Sequence, residues 1–131
     1  ITCNNMDLSQ IKKKIHLLEG QRQKKIDYLL NPKDMVAGSL YTVYKKCGNK
    51  NCRCTRGKLH GPFHYLSRKI GGKTKLTFVR RADEDQIEKK AYNYRKYTKA
   101  LADLGKINAR IYGYLKKIKE IKTEDYGNRK V

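Results

Sequence analysis

Apolar side chains recur every three or four positions through "DLSQIKKKIHLLEGQRQKKIDYLL", where Leu8, Ile11, Ile15, Leu18 and Leu29 form one stripe and Ile26 and Leu30 flank it. That spacing predicts an amphipathic helix. Asn5 or Asp7 offers a side-chain oxygen to cap its start, and Asn31-Pro32 stops it, because proline disfavours helical backbone in the residue before it. Arg22 and Lys25 interrupt the stripe, so the helix reads as one arm of a small bundle rather than a strict coiled coil.

The pattern then changes period. "GSLYTVYKKC", "FHYLSRKI" and "TKLTFVRR" are rich in β-branched and aromatic residues and read as three strands. Gly71-Gly72 separates the last two, and two glycines between strand-like runs favour a two-residue hairpin turn with positive φ at both positions. A two-residue loop pairs Ile70 with Lys73 and fixes the rest: Arg68 faces Lys75, Ser67 faces Leu76, Leu66 faces Thr77, Tyr65 faces Phe78 and His64 faces Val79. One face of this hairpin is aromatic and apolar. The other gathers Arg68, Lys73 and Lys75 near the turn, a like-charge group that costs stability unless something negative visits it.

From "ADEDQIEKK" the helical period returns, with Asp83 as a cap, Gln86 closing a capping-box-like pair and three acids complementing the positive end of the helix. Ile87, Ala91, Tyr94, Leu101, Leu104, Ile111, Leu115 and Ile118 follow, with a slip at 98, 101 and 104 that reads as a stammer. The helix runs to about residue 122 unless Gly105 or Gly113 breaks it into a hairpin, and a stripe this long needs the first helix, a second copy of the chain, or both against it. The predicted fold is α+β: an N-terminal amphipathic helix over 1–34, a basic three-stranded antiparallel sheet module over 35–82, and a long helix or helical hairpin over 83–131 whose tail is frayed.

Charge sharpens this picture. The chain has 131 residues and a net charge of +20, and residues 39–82 hold 12 Lys and Arg but no acid. No carboxylate occurs between Asp34 and Asp83, so these cations repel one another unless a polyanion supplies the counter-charge, and phosphate backbones are the obvious one. No apolar run approaches the ~20 residues of a membrane span, and the opening "ITCNNMDLSQ" lacks the features of a secretion signal, which predicts a cytoplasmic protein with nucleoid association in reach.

Inside the basic block lie Cys47, Cys52, Cys54 and His60, spaced C-x4-C-x-C-x5-H. Three thiolates and one imidazole complete a tetrahedral zinc site with no open position, the structural arrangement. A bound ion also accounts for a loop of ~15 residues that would otherwise lack organisation. His60 precedes Gly61-Pro62, a rigid turn that holds its ring, so it is preferred as fourth ligand; His64 competes, and Cys3 is remote. A local disulfide or redox pair and free structural thiols are the other readings of the cluster. His16, beside the helix stripe, reads as a solvated or partly packed histidine.

The string "GSLYTVYKKCGNKNCRCTRGKLHGPFHYLSRKIGGKTKLTFV" resembles the signature of a small, uncharacterised prokaryotic family: Gly38 to Leu40, Lys46 to Gly48, Cys52 and Cys54, His60 to Pro62, Tyr65 to Ser67, and Gly71 to Thr74. This resemblance implies a coherent module followed by a helix, and no particular activity. At the level of fold alone the module also resembles the three-stranded-sheet DNA-binding modules of mobile-element integrases.

The function expected from these features is non-enzymatic binding of nucleic acid, duplex DNA ahead of RNA or single strands, by a zinc-stabilised basic sheet. Arg53, Arg56, Lys58, Arg68, Lys73 and Lys75 are the expected phosphate contacts, with Lys45, Lys50, Arg80 and Arg81 around them. In the last helix Arg95, Lys96 and Lys99 alternate with Tyr92, Tyr94 and Tyr97, a pattern that serves either base stacking or helix packing. Assembly with a second copy or a larger protein through the helices is the alternative. Catalysis is disfavoured because the module offers no carboxylate for a metal-dependent nuclease or general base, and no C-x-x-C for thiol redox chemistry.

Overall fold

The computed structural model describes residues 6–128. Cys3 and Asn5, named above as a remote ligand and a possible cap, lie outside the described residues, as do positions 129–131 of the tail. The fold divides into two units, one of residues 1–32 with 99–131 and one of residues 33–98.

In the first unit helix α1 spans Leu8–Leu29. Asp7 caps it in a full capping box: the Gln10 N–H donates to Asp7 Oδ1 at 2.8 Å, and the Asp7 N–H donates back to Gln10 Oε1 at 3.0 Å. Ile11, Leu18 and Leu29 of the expected stripe are buried, while Leu30 is exposed. Burying a side chain such as Ile11 or Leu18 stabilises by about 1.5–3 kcal/mol. Helix α2 spans Glu84–Lys122 without interruption, so neither Gly105 nor Gly113 breaks it. Its part beyond Lys99 lies antiparallel to α1: Arg22 Nε donates to Asn108 Oδ1 at 2.8 Å, and Lys25 Nζ lies 3.3 Å from Asp103 Oδ2. The two cations that interrupt the α1 stripe are therefore the polar clamps of the helix pair.

The α2 stripe differs from its expected register. Ala100 and Ile107 are buried, whereas Tyr94, Leu101 and Leu115 are exposed. With Leu104, Ile111 and Ile118 half-buried, the packed face keeps a 3-4 rhythm through 100, 104, 107, 111 and 118, and the stammer disappears. The small Ala100 carries the register where the bulkier Leu101 drew the eye. The helix start is also corrected. A single 3-10 turn, Arg81–Asp83, precedes α2, and the Asp83 carboxylate accepts from Arg80 Nε at 3.2 Å.

In the second unit three strands, β1 (Ser39–Lys45), β2 (His60–Ile70) and β3 (Lys73–Val79), form an antiparallel sheet in the order β1-β2-β3. The β2–β3 register runs from Ile70↔Lys73 to His64↔Val79 as the turn dictates, with φ of 58° at Gly71 and 81° at Gly72. Gly61-Pro62, expected to form a turn, instead lies within β2. Val43 pairs with Phe63 but Lys45 pairs with His60, so two β2 residues, Gly61 and Pro62, oppose the single β1 residue Tyr44 in a bulge. A bulge is where a central strand tolerates proline, since the ladder there needs no N–H from it.

One face of the sheet carries Leu40, Leu66 and Val79 and packs on Ile87 and Ala91 of α2, with Val36 alongside. The segment before β1 is tied to the same helix by the Val36 N–H donating to the Lys90 carbonyl at 3.1 Å and by Asn93 Nδ2 donating to the Asp34 carbonyl at 3.1 Å. Arg68, Lys73 and Lys75 thus share the helix-covered face, at its hairpin end, and it is the aromatic face that is left open. Alternation alone did not say which face α2 would choose.

Candidate metal centre and basic sheet

Two residues beyond the end of β1 the chain reaches Cys47. It then turns back, with the Asn51 N–H donating to Asn49 Oδ1 at 3.0 Å and the Cys52 N–H to the Asn49 carbonyl at 3.1 Å. A 3-10 turn, Arg53–Arg56, follows and carries the fully buried Cys54, and Thr55 Oγ1 donates to the Cys52 carbonyl at 2.7 Å. His60 then opens β2, set opposite Lys45 by the bulge.

These turns bring Cys47, Cys52, Cys54 and His60 together, their ligand atoms all within 4.8 Å of one another. Cys47 and Cys54 sulfurs are 3.6 Å apart, and Cys52 Sγ lies 2.9 Å from His60 Nε2. A disulfide needs about 2.05 Å. A tetrahedron with ~2.3 Å metal–sulfur bonds has edges of roughly 3.8 Å, close to the observed sulfur separation. All three cysteines are free, and the four side chains lie close enough to hold a metal ion. His64 is not part of the group: its Nδ1 shares a hydrogen bond with Thr42 Oγ1 at 3.2 Å, and its Nε2 lies 3.7 Å from Glu84 Oε1.

Backbone and neighbouring sulfurs set the state of the thiols. The Cys54 N–H and the Cys47 thiol, together with His60, stabilise a Cys52 thiolate and bring its pKa down to about 6. Cys54 gains from the Cys47 N–H, which donates to its sulfur at 3.4 Å, yet burial and the adjacent Cys47 and Cys52 sulfurs push it up. Such a split is the ordinary consequence of crowding thiols that cannot all ionise without a cation among them.

The cations around this centre are spread over several surfaces. Lys50, Arg53, Arg56 and Lys58 are exposed on the cysteine loop, Arg68, Lys73 and Lys75 at the hairpin end, and Arg80 and Arg81 before α2. Of the 12 cations in 39–82, Arg80 is the one with a carboxylate partner among the described residues. On α2, Arg95 and Lys96 sit 5.8 and 5.5 Å from the centroid of Tyr92, and Lys99 pairs with Asp103 at 3.2 Å. Arg80 and Lys99 are thus matched internally, which weakens both as phosphate contacts.

Comparison with protein families matches residues 8–89, more than half of the chain, to the family described as "Domain of unknown function (DUF6788)". The chain belongs to the DUF6788 family. The DUF6788 match takes in α1, the whole sheet with its cysteine loop, and the start of α2. Comparison with curated proteins and with solved structures found no match.

What the sequence did not single out is the open sheet face. Tyr41, Leu76 and Phe78 are 40%, 49% and 53% exposed, with Phe63 and Tyr65 half-buried between them. Lys45 crosses this face: its Nζ donates to the Tyr65 hydroxyl at 2.8 Å and lies 5.1 Å from the Phe63 ring centroid. Lys69 stands on the same alternation as Tyr65 and is exposed. The available signal was the Tyr65–Phe78 pairing inside an acid-free block.

Proposed function

We propose that the chain is a non-enzymatic nucleic-acid-binding protein whose basic sheet is held in shape by a structural zinc ion at Cys47, Cys52, Cys54 and His60. The supporting observation is the 39–82 block, in which every cation except Arg80 lacks a carboxylate partner among the described residues. Such a surface carries unrelieved self-repulsion that a polyphosphate backbone removes. Three thiolates and an imidazole saturate a tetrahedral ion, so zinc there would cross-link the ends of β1 and β2 and activate no substrate. Nearby Lys46, Arg53 and Arg56 offset the negative charge of a three-thiolate centre.

Titration of labelled duplex DNA, single-stranded DNA and RNA across salt concentration tests the reading. Phosphate binding requires affinity to fall steeply with salt; a flat response removes the proposal. Elemental analysis should find about one zinc per chain, absent from Cys52→Ser.

A second reading, helical assembly with another copy of the chain, is favoured by Leu17, Leu101, Tyr112 and Leu115, each at least half exposed. Sedimentation over a concentration series that shows only a folded monomer removes it.

A further inference from the structure

The register Tyr41↔Tyr65↔Phe78 lays one aromatic ring from each strand in a row across the sheet, on the face away from α2. Ring centroids are 6.3 Å apart for Tyr41 and Tyr65 and 5.6 Å apart for Tyr65 and Phe78, with interplanar angles of 32° and 71°. Strand spacing and the pairing register set these separations, since residues directly opposite on neighbouring strands share a face. Leu66, one position along from Tyr65, is turned into the core, so the row cannot be withdrawn without a one-residue slip that would expose that core.

Resting on the nucleic-acid reading above, we infer that this row is a stacking platform for the unpaired bases of a single-stranded polynucleotide. Three observations converge on that occupant. Tyr41 and Phe78 are exposed on either side of the half-buried Tyr65, and aromatic rings take any base because every base has a π face. The rim is cationic, with Lys45 lying over the Phe63 and Tyr65 rings and Lys69 at the far end of β2, and no acid occurs within 35–82 to repel a phosphate chain. The ring spacing exceeds the ~3.4 Å separation of stacked bases in a duplex. The exposed Tyr41 and Phe78 rings therefore each accept a base splayed from its neighbours, and a paired, stacked duplex does not match. A protein partner would meet the same rings, but it would have to bring its own acids to a rim whose charge matches phosphates.

The discriminating measurement compares a short labelled oligothymidylate with an abasic oligonucleotide of the same length, both titrated with the full chain by fluorescence anisotropy. Base-bearing strands bind more tightly than abasic ones, and the exposed Phe78→Ala and Tyr41→Ala each weaken only the base-bearing strand, by about ten-fold. The salt slope stays unchanged in both variants, whereas Lys69→Gln lowers it by about one. Hydrogen-exchange protection of the β1, β2 and β3 amides, equal across the variants, guards against loss of the sheet.

Equal binding of the two strands with a steep salt slope, and no effect of the ring variants, overturns the stacking platform while leaving the phosphate reading intact. Absence of binding by either strand overturns the platform, and overturns the phosphate reading as well when duplex DNA and RNA also fail to bind. A concentration-dependent dimer abolished by Phe78→Ala, with no strand bound, assigns the face to a second copy of the chain and overturns the inference as well.

Discussion

Cys52 and Cys54 are two residues apart and meet opposite surroundings. The Cys54 N–H and the Cys47 thiol lower Cys52 to about 6, while burial and neighbouring sulfurs raise Cys54. At neutral pH the metal-free chain therefore holds Cys52 mainly as thiolate and Cys54 as thiol. In chelated protein, iodoacetamide should alkylate Cys52 well ahead of Cys54, with the Cys52 rate falling as pH drops below about 6; peptide mass mapping of timed samples reads the order. Gly61 is the second decisive residue. Its φ of +138° is a conformation that L side chains rarely adopt, and an added Cβ would lie 2.9 Å from the Val43 carbonyl oxygen. Gly61→Ala should cost about 1–3 kcal/mol through backbone strain alone and displace His60. Melting temperature and zinc uptake from added zinc should fall together, and unchanged uptake would separate His60 placement from the bulge. The four-residue cluster was legible in sequence because Cys47, Cys52, Cys54 and His60 fall in one loop between two predicted strands. The bulge was not, since Gly-Pro reads as a turn wherever strand continuity is unknown.

Among elements, the α1–α2 pair shows how polar residues complete a helical interface. Asp103 accepts from Lys99 and Lys25, and these contacts, Lys99 first, hold its carboxyl below the usual carboxylate range. A depressed folded-state value means that its contribution is present above the unfolded aspartate value and is lost as pH falls through the folded one. Asp103→Asn should therefore be modestly less stable than the parent at neutral pH, and the gap should close on acidification below about pH 4. Urea melts at a series of pH values check this; a gap that persists in acid would assign the effect to packing. The α1 limits were legible from Asp7 and Pro32, and the α2 start only to within a turn from the acidic cluster at 83–85. The α2 register was not, because Ala100 is a weak apolar signal yet is the buried residue, while the bulkier Leu101 is exposed. The hairpin register was fully determined by Gly71-Gly72, but which face α2 would cover depended on long-range packing that period-two alternation leaves open.

For the molecule as a whole, each unit has its own buried residues: Ile11, Leu18, Leu29, Ala100 and Ile107 in one, Cys54, Leu66, Val79 and Ala91 in the other. Cys47, Cys52, Cys54 and His60 all fall in the second unit and outside both helices, so removal of a bound metal should leave far-ultraviolet helix content nearly unchanged while the sheet loosens. Among the described residues no helix is long and apolar enough to cross a membrane. The connection from Lys45 to His60 is long in residues, and closing a flexible loop costs entropy that grows with its length. An ion held by Cys47 and His60 at its two ends would make that connection behave as a tight clasp, whereas β2 and β3 are joined by two glycines and owe nothing to it. Stripping the ion should accordingly unzip the sheet from one side: amides of β1 lose hydrogen-exchange protection while the β2–β3 ladder keeps its own, leaving the three-ring row short of Tyr41.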